Sequence, residues 1–207
     1  TVTGAASKYV ITSSSYSPPP GAGVTITAQL ADANNNAVAT SGKTVTWSST
    51  NGGSFGAATS TTNAGGTATA TFTTGMVSGT VYTVTGTDNT ALAGTSGNIT
   101  AVAGVATKYL VTSSSYSPNA GSNVTITAQL ADTYSNVVSV AGKTVTWSKT
   151  GAGGSFGTPT STTNSSGIAA VTFTTNTLTG IVHTVTGTDN DALSGTSGSI
   201  TTVLGPA

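Results

Sequence analysis

The heptapeptide Gly-Lys-Thr-Val-Thr-Trp-Ser occurs twice without change, at residues 42–48 and at residues 142–148. Each copy contains one of the two tryptophans of the chain. A glycine suited to a turn is followed by alternating residues, so Val45 and Trp47 point to one side of a strand and the hydroxyl residues to the other. The repeat therefore predicts one module built twice, with each core formed around its tryptophan.

The repetition extends over nearly the whole chain. Residues 7–18, 24–32, 53–56 and 84–89 return as residues 107–118, 124–132, 154–157 and 185–190. The one additional residue of the second copy falls in the loop between Trp147 and Phe156, where an insertion costs little. We predict two domains, residues 1–103 and 104–207, in which residues 1–6 resemble the joint between the two copies.

The composition excludes several classes of function. Only 5% of the 207 residues are charged, and the formal net charge is zero, which argues against nucleic acid and anionic membranes as partners. Serine and threonine make up about a third of the chain, a composition typical of secreted surface and fibre proteins. There is no cysteine, and no apolar run approaches the ~18 residues of a membrane span. We expect an extracellular or cell-surface location.

The hydrophobic pattern predicts an all-β fold. Beta-branched and apolar residues alternate with threonine, Gly, Pro, Asn and Asp mark the turns, and helical periodicity is missing throughout. In the first copy this pattern gives seven strands, at about residues 7–15, 23–32, 43–49, 57–62, 66–74, 80–87 and 92–103. Short strands at such spacing predict two tandem immunoglobulin-like antiparallel β-sandwiches.

Three segments of each copy resemble the bacterial immunoglobulin-like domains of invasin and intimin type. They are residues 32–47, 62–73 and 82–86 in the first copy and residues 132–147, 163–174 and 183–187 in the second. The family often has proline where Ala37 and Val137 stand, and the lectin-like tip domain of the named adhesins has no counterpart here. The resemblance implies a stalk or spacer role in a surface protein and does not imply receptor binding.

Catalytic chemistry finds no support in the sequence. His183 is the one histidine, and it stands at an inward position that Tyr82 occupies in the first copy. A core residue is therefore the favoured interpretation, and a catalytic or metal-binding histidine is the alternative. The aspartates occur singly in turns, where no pair converges as glycoside chemistry requires. We predict that the protein is not an enzyme.

One group of oxygen-bearing side chains is a candidate calcium site. Asp132, Asn136, Asp189 and Asp191 are predicted to lie at the end of the second domain that faces the joint. Hard oxygen ligands of this kind would hold Ca²⁺ and stiffen a stalk. The alternative is a set of Asx turns, in which the same oxygens accept hydrogen bonds from nearby backbone amides. No other cofactor is expected.

Tyrosines and sequons give two further hypotheses. Tyr16 and Tyr116 occupy identical loops, and we predict contacts at the domain joint, with Tyr134 next to Tyr16. Exposed tyrosines that stack on carbohydrate are the alternative. Three Asn-x-Ser/Thr sequons predict N-glycosylation in a source that performs it, namely Asn98, Asn123 and Asn164.

The ends of the chain carry the main functional hypothesis. Residues 1–6 and residues 202–207 both align with the joint at residues 101–106. Either the chain is cut from a longer array, or a surplus terminal strand pairs with another copy, a contact that does not close and gives a filament. We predict head-to-tail assembly through Val2, Thr3, Gly4, Val203 and Leu204. The alternative function is an adhesin or carbohydrate-binding module that meets glycans of a host or a neighbouring cell.

Overall fold

The computed structural model describes residues 4–205, which form antiparallel β-structure without a helix. The chain divides into two compact units, residues 1–103 and residues 104–207, called domain 1 and domain 2 below. The predicted all-β fold with two immunoglobulin-like sandwiches is confirmed. Since the described residues form no helix, none could cross a membrane as one.

The described residues of domain 1 form ten strand segments. They are β1 (Lys8–Ser13), β2 (Gly23–Ala31), β3 (Thr44–Ser49), β4 (Ser54–Phe55), β5 (Thr59–Thr61), β6 (Thr67–Thr73), β7 (Val81–Tyr82), β8 (Val84–Asp88), β9 (Ala93–Thr95) and β10 (Ile99–Thr100). One sheet has the order β1-β2-β6-β4, a second has the order β5-β3-β8-β9, and β10 pairs with β7.

Domain 2 repeats this arrangement strand for strand. Its segments are β11 (Lys108–Ser113), β12 (Asn123–Ala131), β13 (Thr144–Lys149), β14 (Ser155–Phe156), β15 (Thr160–Thr162), β16 (Ile168–Thr174), β17 (Val182–His183), β18 (Val185–Asp189), β19 (Ser194–Thr196) and β20 (Ile200–Thr201). The sheets are β11-β12-β16-β14, β15-β13-β18-β19 and β17-β20.

Two of the seven predicted strands are interrupted. The strand expected at residues 80–87 breaks at Thr83, whose amide donates to Thr50 Oγ1 at 2.9 Å instead of to a neighbouring strand. The strand expected at residues 92–103 breaks at Ser96, whose hydroxyl accepts from the Val84 amide at 2.9 Å. Each break lets one stretch of chain contribute to both sheets: β7 of the two-stranded sheet precedes β8 of the large sheet, and β9 of the large sheet precedes β10 of the two-stranded sheet.

The core of domain 1 is centred on the predicted tryptophan. Trp47 is buried and lies opposite Gly86 on β8, where a Cβ would come 3.1 Å from the indole ring. Its indole N–H donates to Ser60 Oγ at 3.0 Å, which satisfies the polar atom of the buried ring. From Trp47 the aromatic contacts run through Phe55 and Phe72 to Tyr82, with centroid separations of 6.4, 5.1 and 5.4 Å.

Candidate functional site

The start of each domain is attached to its first sheet by the same pair of hydrogen bonds. In domain 1 the Gly4 amide donates to Asp32 Oδ2 at 2.9 Å, and the Ser7 amide donates to the Ala31 carbonyl at 2.9 Å. In domain 2 the Gly104 amide donates to Asp132 Oδ2 at 3.1 Å, with the corresponding backbone bond from Thr107 to Ala131. Gly4 is therefore held by its own domain.

The remaining N-terminal assembly residues, Val2 and Thr3, lie outside the described residues.

The end of each domain is attached in an equally regular way. The Val102 amide donates to the Pro18 carbonyl at 3.0 Å, and the Val203 amide donates to the Pro118 carbonyl at 2.9 Å. In domain 2 the Ala120 amide also donates to the Val203 carbonyl at 2.9 Å, which makes a parallel bridge between Val203 and Asn119. Domain 1 has Pro20 at the position of Ala120, and proline has no amide hydrogen to donate.

This attachment bears directly on the predicted assembly segment. Both backbone groups of Val203 are hydrogen-bonded within domain 2, so neither is free to pair with a strand from another copy. The side chains remain accessible: Val203 is partly exposed and Leu204 is 84% exposed. Leu178 and Val182, also exposed, lie next to this segment, because Thr202 bonds to the Leu178 carbonyl and Thr201 pairs with Val182.

The carboxylate of Asp132 stabilises a turn. Its Oδ1 accepts hydrogen bonds from the Tyr134 and Asn136 amides, both at 2.9 Å, and the Asn136 side-chain amide donates to Oδ2 at 3.0 Å. Burial alone would raise the pKa of Asp132, but the bonds from Asn136, Gly104 and Tyr134 lower it. Asp32 has the same contacts in domain 1, where Asn36 and Gly4 lower its pKa from 3.8 to about 2.

Asp189 plays the same part in the loop after β18. Its Oδ1 accepts from the Asp191 and Leu193 amides at 2.9 and 3.0 Å, and its Oδ2 accepts from the Tyr109 hydroxyl at 3.1 Å. Burial, then the hydrogen bond to Asp189, raises the pKa of Tyr109 well above its ordinary value. Asp191 is half exposed and forms an ion pair with Lys143.

The oxygens of the candidate calcium site are engaged in local contacts. Within residues 4–205 no three His, Cys, Asp or Glu side chains lie together so as to hold a metal ion. The oxygens of Asp132 and Asp189 are occupied by amide and hydroxyl donors, and Asp191 points to a lysine. The Asx-turn alternative describes this loop geometry, and calcium binding by these residues stays a prediction.

The two loop tyrosines pack against their own domains. The Tyr16 hydroxyl accepts from the Ser13 amide at 3.2 Å, and its ring edge lies where a Cβ on Gly97 would be 3.4 Å away. Tyr116 makes the same contacts with Ser113 and Gly198. Each of the two residues is 42% exposed, as is Tyr134, whose backbone amide donates to Asp132. Their predicted joint contacts and the carbohydrate alternative stay predictions.

The three sequon asparagines are all exposed but differ in their hydrogen bonding. Asn123 Oδ1 accepts from the Thr174 hydroxyl at 2.7 Å. Asn164 Oδ1 accepts from the Ser166 and Ile168 amides at 2.9 and 3.1 Å, so this side chain shapes a turn. Asn98 lies in the exposed break between β9 and β10. Their glycosylation stays a prediction.

His183 is a core residue, as the favoured interpretation states. It is fully buried on β17 opposite Ile200, and its ring makes an edge-to-face contact with Phe173 at a centroid distance of 5.1 Å. The sequence comparison with Tyr82 locates this position correctly. It does not reveal that one ring nitrogen is left without a partner, because that depends on the shape of the surrounding core.

Comparison with known proteins agrees with this architecture. No family model matches the chain, and no curated protein matches it. Among solved structures, the D00-D0 domain of intimin is 15% identical with a TM-score of 0.55, and the match covers 94% of this chain and all of that one. The Escherichia coli adhesin FdeC is 16% identical with a TM-score of 0.50, with coverage of 96% and 65%.

Invasin, described as a bacterial integrin-binding protein, is 22% identical with a TM-score of 0.43, and the chain spans 40% of its length.

The two sandwiches with their regular attachments define a tandem immunoglobulin-like protein. The likeness to intimin and FdeC identifies the domains more narrowly, as having the fold of the bacterial immunoglobulin-like domains of invasin and intimin type. The resemblance seen in the sequence is confirmed at the level of the fold.

Proposed function

We propose that this chain is an extracellular structural protein, a subunit of a cell-surface stalk or filament that extends by joining immunoglobulin-like modules head to tail. One observation carries the proposal. Each domain has the same attachment at its start, from Gly4 to Asp32 and from Gly104 to Asp132, and the same attachment at its end, from Val102 to Pro18 and from Val203 to Pro118. A module with standard ends is suited to serial repetition.

The surface location rests on the relatives and on the composition. FdeC is named as an adhesin, and the D00-D0 domain of intimin has a similar fold. An almost uncharged surface in which hydroxyl groups replace lysine and glutamate agrees with an extracellular protein. The adhesin alternative predicts binding of surface glycans through Tyr16 and Tyr116, each anchored to its own loop by a backbone hydrogen bond.

The attachment of Val203 bears on where we propose that copies meet. In domain 2 the position beside Asn119 is already filled by Val203, so an incoming strand would have to displace this segment. We therefore place the contact on the exposed apolar side chains around it, namely Leu178, Val182, Val203 and Leu204. The partner surface is the start of domain 1 of another copy, including Val2 and Thr3.

Sedimentation velocity and negative-stain microscopy of the full chain at increasing concentration test this proposal. We expect wild-type protein to form linear oligomers and Leu204→Asp combined with Val182→Asp to remain monomeric. Val140→Asp is the matched control, since Val140 is an exposed apolar residue of the same domain far along the chain from this cluster. Removal of residues 1–3, which leaves Gly4 in place, should also abolish the oligomers.

A wild-type protein that is monomeric at every concentration contradicts the filament role, as does a double variant that still assembles. Binding to a glycan array that is lost in both Tyr16→Ala and Tyr116→Ala would instead support the adhesin alternative.

A further inference from the structure

Among the described residues of domain 2, one buried side-chain nitrogen has no hydrogen-bond partner. His183 Nδ1 lies 3.0 Å from the Thr150 carbonyl oxygen, which can only accept, so Nδ1 carries the hydrogen and Nε2 holds the lone pair. Nε2 is buried and has no hydrogen-bond partner among the described residues. Buried polar atoms nearly always have a partner, so an exception of this kind calls for a physical explanation.

In domain 1 the corresponding residue, Tyr82, has its polar atom satisfied. The Tyr82 hydroxyl accepts a hydrogen bond from the Gly75 amide at 2.9 Å, and the ring packs against Phe72. Histidine is shorter and does not reach the corresponding amide of Asn176, which follows β16 as Gly75 follows β6. The exchange of tyrosine for histidine therefore replaces a satisfied group by a titratable one in an otherwise matching core.

The surroundings of His183 disfavour protonation of its second ring nitrogen, Nε2. Phe173 and Ile200 pack against the ring from β16 and β20, and a Cβ on Gly151 would lie 2.7 Å from Nδ1. Residues 168–181 and 199–203 contain no charged or titratable group. On the side of Gly151 the charged group is the ammonium of Lys149, which donates to the Gly151 carbonyl at 3.1 Å. A cation on His183 would have neither an acceptor for Nε2–H nor a carboxylate nearby.

We propose that His183 makes domain 2 the acid-sensitive half of this chain, while domain 1, with Tyr82 at the same position, is insensitive over the same range. An imidazole exposed in the unfolded chain takes up a proton near pH 6.5. The folded domain can accept that proton only by burying an unpaired charge. Protonation thus favours the unfolded state, and domain 2 loses stability as the pH falls through this range.

The loss would begin at the end of domain 2 that carries Val203. His183 pairs with Ile200, and β20 leads directly into Thr202 and Val203. Mild acid would therefore release this end first. The inference concerns stability alone and holds whether or not the chain assembles.

Two variants of the full chain allow the unfolding of each domain to be followed separately, because each domain has one tryptophan. Trp47→Phe leaves Trp147 to report on domain 2, and Trp147→Phe leaves Trp47 to report on domain 1. Urea unfolding is followed by fluorescence at about pH 7.5 and about pH 5, a range in which ordinary carboxylates stay ionised. We expect the urea midpoint of domain 2 to fall at the lower pH and that of domain 1 to stay within error.

The reciprocal exchanges provide the control. His183→Tyr should remove the pH dependence from domain 2, and Tyr82→His should introduce it into domain 1. If His183→Tyr does not fold, the pH dependence of Tyr82→His alone decides whether the proposal holds. A drop in the midpoint that is equal in the two domains, or that persists in His183→Tyr, overturns the proposal, as does a Tyr82→His domain without a drop.

Nuclear magnetic resonance supplies an independent measurement, since the chain has a single histidine and its imidazole signals need no assignment. We expect nitrogen shifts of the Nδ1–H tautomer that remain unchanged while domain 2 is folded and change only as it unfolds. A reversible titration of the folded protein near pH 6.5, with the domain 2 amide signals unchanged, contradicts the inference.

Discussion

Asp32 shows how a single carboxylate stabilises this fold. Its two oxygens accept hydrogen bonds from the Gly4, Asn34 and Asn36 amides, each at 2.9 Å, and from the Asn36 side chain. These bonds favour the ionised form and lower the pKa of Asp32 from 3.8 to about 2. Because the folded-state pKa is lowered, this stabilisation is complete above the ordinary pKa and is lost as the pH falls through about 2.

We predict that Asp32→Asn lowers the urea midpoint of domain 1 at neutral pH, because an amide group would face the N–H donors of Gly4 and Asn36. The difference from wild type should narrow below about pH 4 and disappear near pH 2. Asp191→Asn is the control in domain 2, since this half-exposed carboxylate pairs with Lys143 at the surface, and its loss should change the urea midpoint of domain 2 little. A difference that is constant from pH 7 to pH 2.5 would show that ionisation of Asp32 is irrelevant.

Gly94 is a second residue at which a single atom decides the packing. A Cβ at this position would overlap the carbonyl oxygen of Tyr9, so glycine lets β9 lie against β1 and close that edge of the sandwich. We predict that Gly94→Ala destabilises domain 1 by about 1–3 kcal/mol through overpacking. Gly56→Ala is matched, because its Cβ would meet nothing closer than Thr71 at 3.8 Å. Equal urea midpoints for the two variants would contradict this explanation.

The residue scale also shows where sequence reasoning succeeds and where it fails. Trp47 is correctly predicted to be in the core because alternation along one strand is a local pattern. For Asp132 the sequence leaves two interpretations, a calcium ligand or an Asx turn, because it shows which oxygens exist but not which amides bind them. Its partners Tyr134 and Asn136 lie only two and four residues further on, a spacing that favours an Asx turn.

At the scale of strands, the long regular ones are predicted well and the breaks are not. β2 and β6 follow from the alternation of buried and exposed residues. The breaks at Thr83 and Ser96 depend on hydrogen bonds to Thr50 and Val84, which are distant along the chain. Hydrophobic periodicity contains no information on such contacts, so the split into β7, β8, β9 and β10 could not be predicted.

The pairing of β17 with β20 depends on one buried hydroxyl. Thr202 Oγ1 accepts from the Ile181 amide at 2.9 Å and donates to the Leu178 carbonyl at 2.7 Å, which ties the preceding loop to the end of the domain. We predict that Thr202→Ala costs about 1–2 kcal/mol, because both loop groups lose their partner. Hydrogen exchange should become faster at the Ile181 amide.

Thr201→Ala is the control for this change, because Thr201 is the neighbouring residue, is only half buried and contributes to the strand through its backbone. If both variants speed exchange equally at Ile181, the hydroxyl of Thr202 does not hold the loop.

At the scale of the whole molecule, each domain closes its own core. The buried cluster around Trp47 is drawn entirely from residues 9–101, and domain 2 repeats it around Trp147. Trp147 donates through its indole N–H to Ser161 at 2.9 Å and packs near Phe156 at a centroid distance of 6.5 Å. Apolar burial that is complete within a domain predicts that the two halves unfold as separate units.

We predict that Trp147→Ala destabilises domain 2 by about 3–5 kcal/mol and leaves domain 1 unchanged, because the cavity it creates lies wholly within one core. The variant retains Trp47 as its only tryptophan, so fluorescence reads the urea midpoint of domain 1 while circular dichroism reads both domains. The fluorescence midpoint should equal that of wild-type domain 1, and the dichroism curve should gain an earlier step. A fluorescence midpoint that falls together with that step would show that the domains unfold as one unit, and serial addition of independent modules would then lose its physical basis.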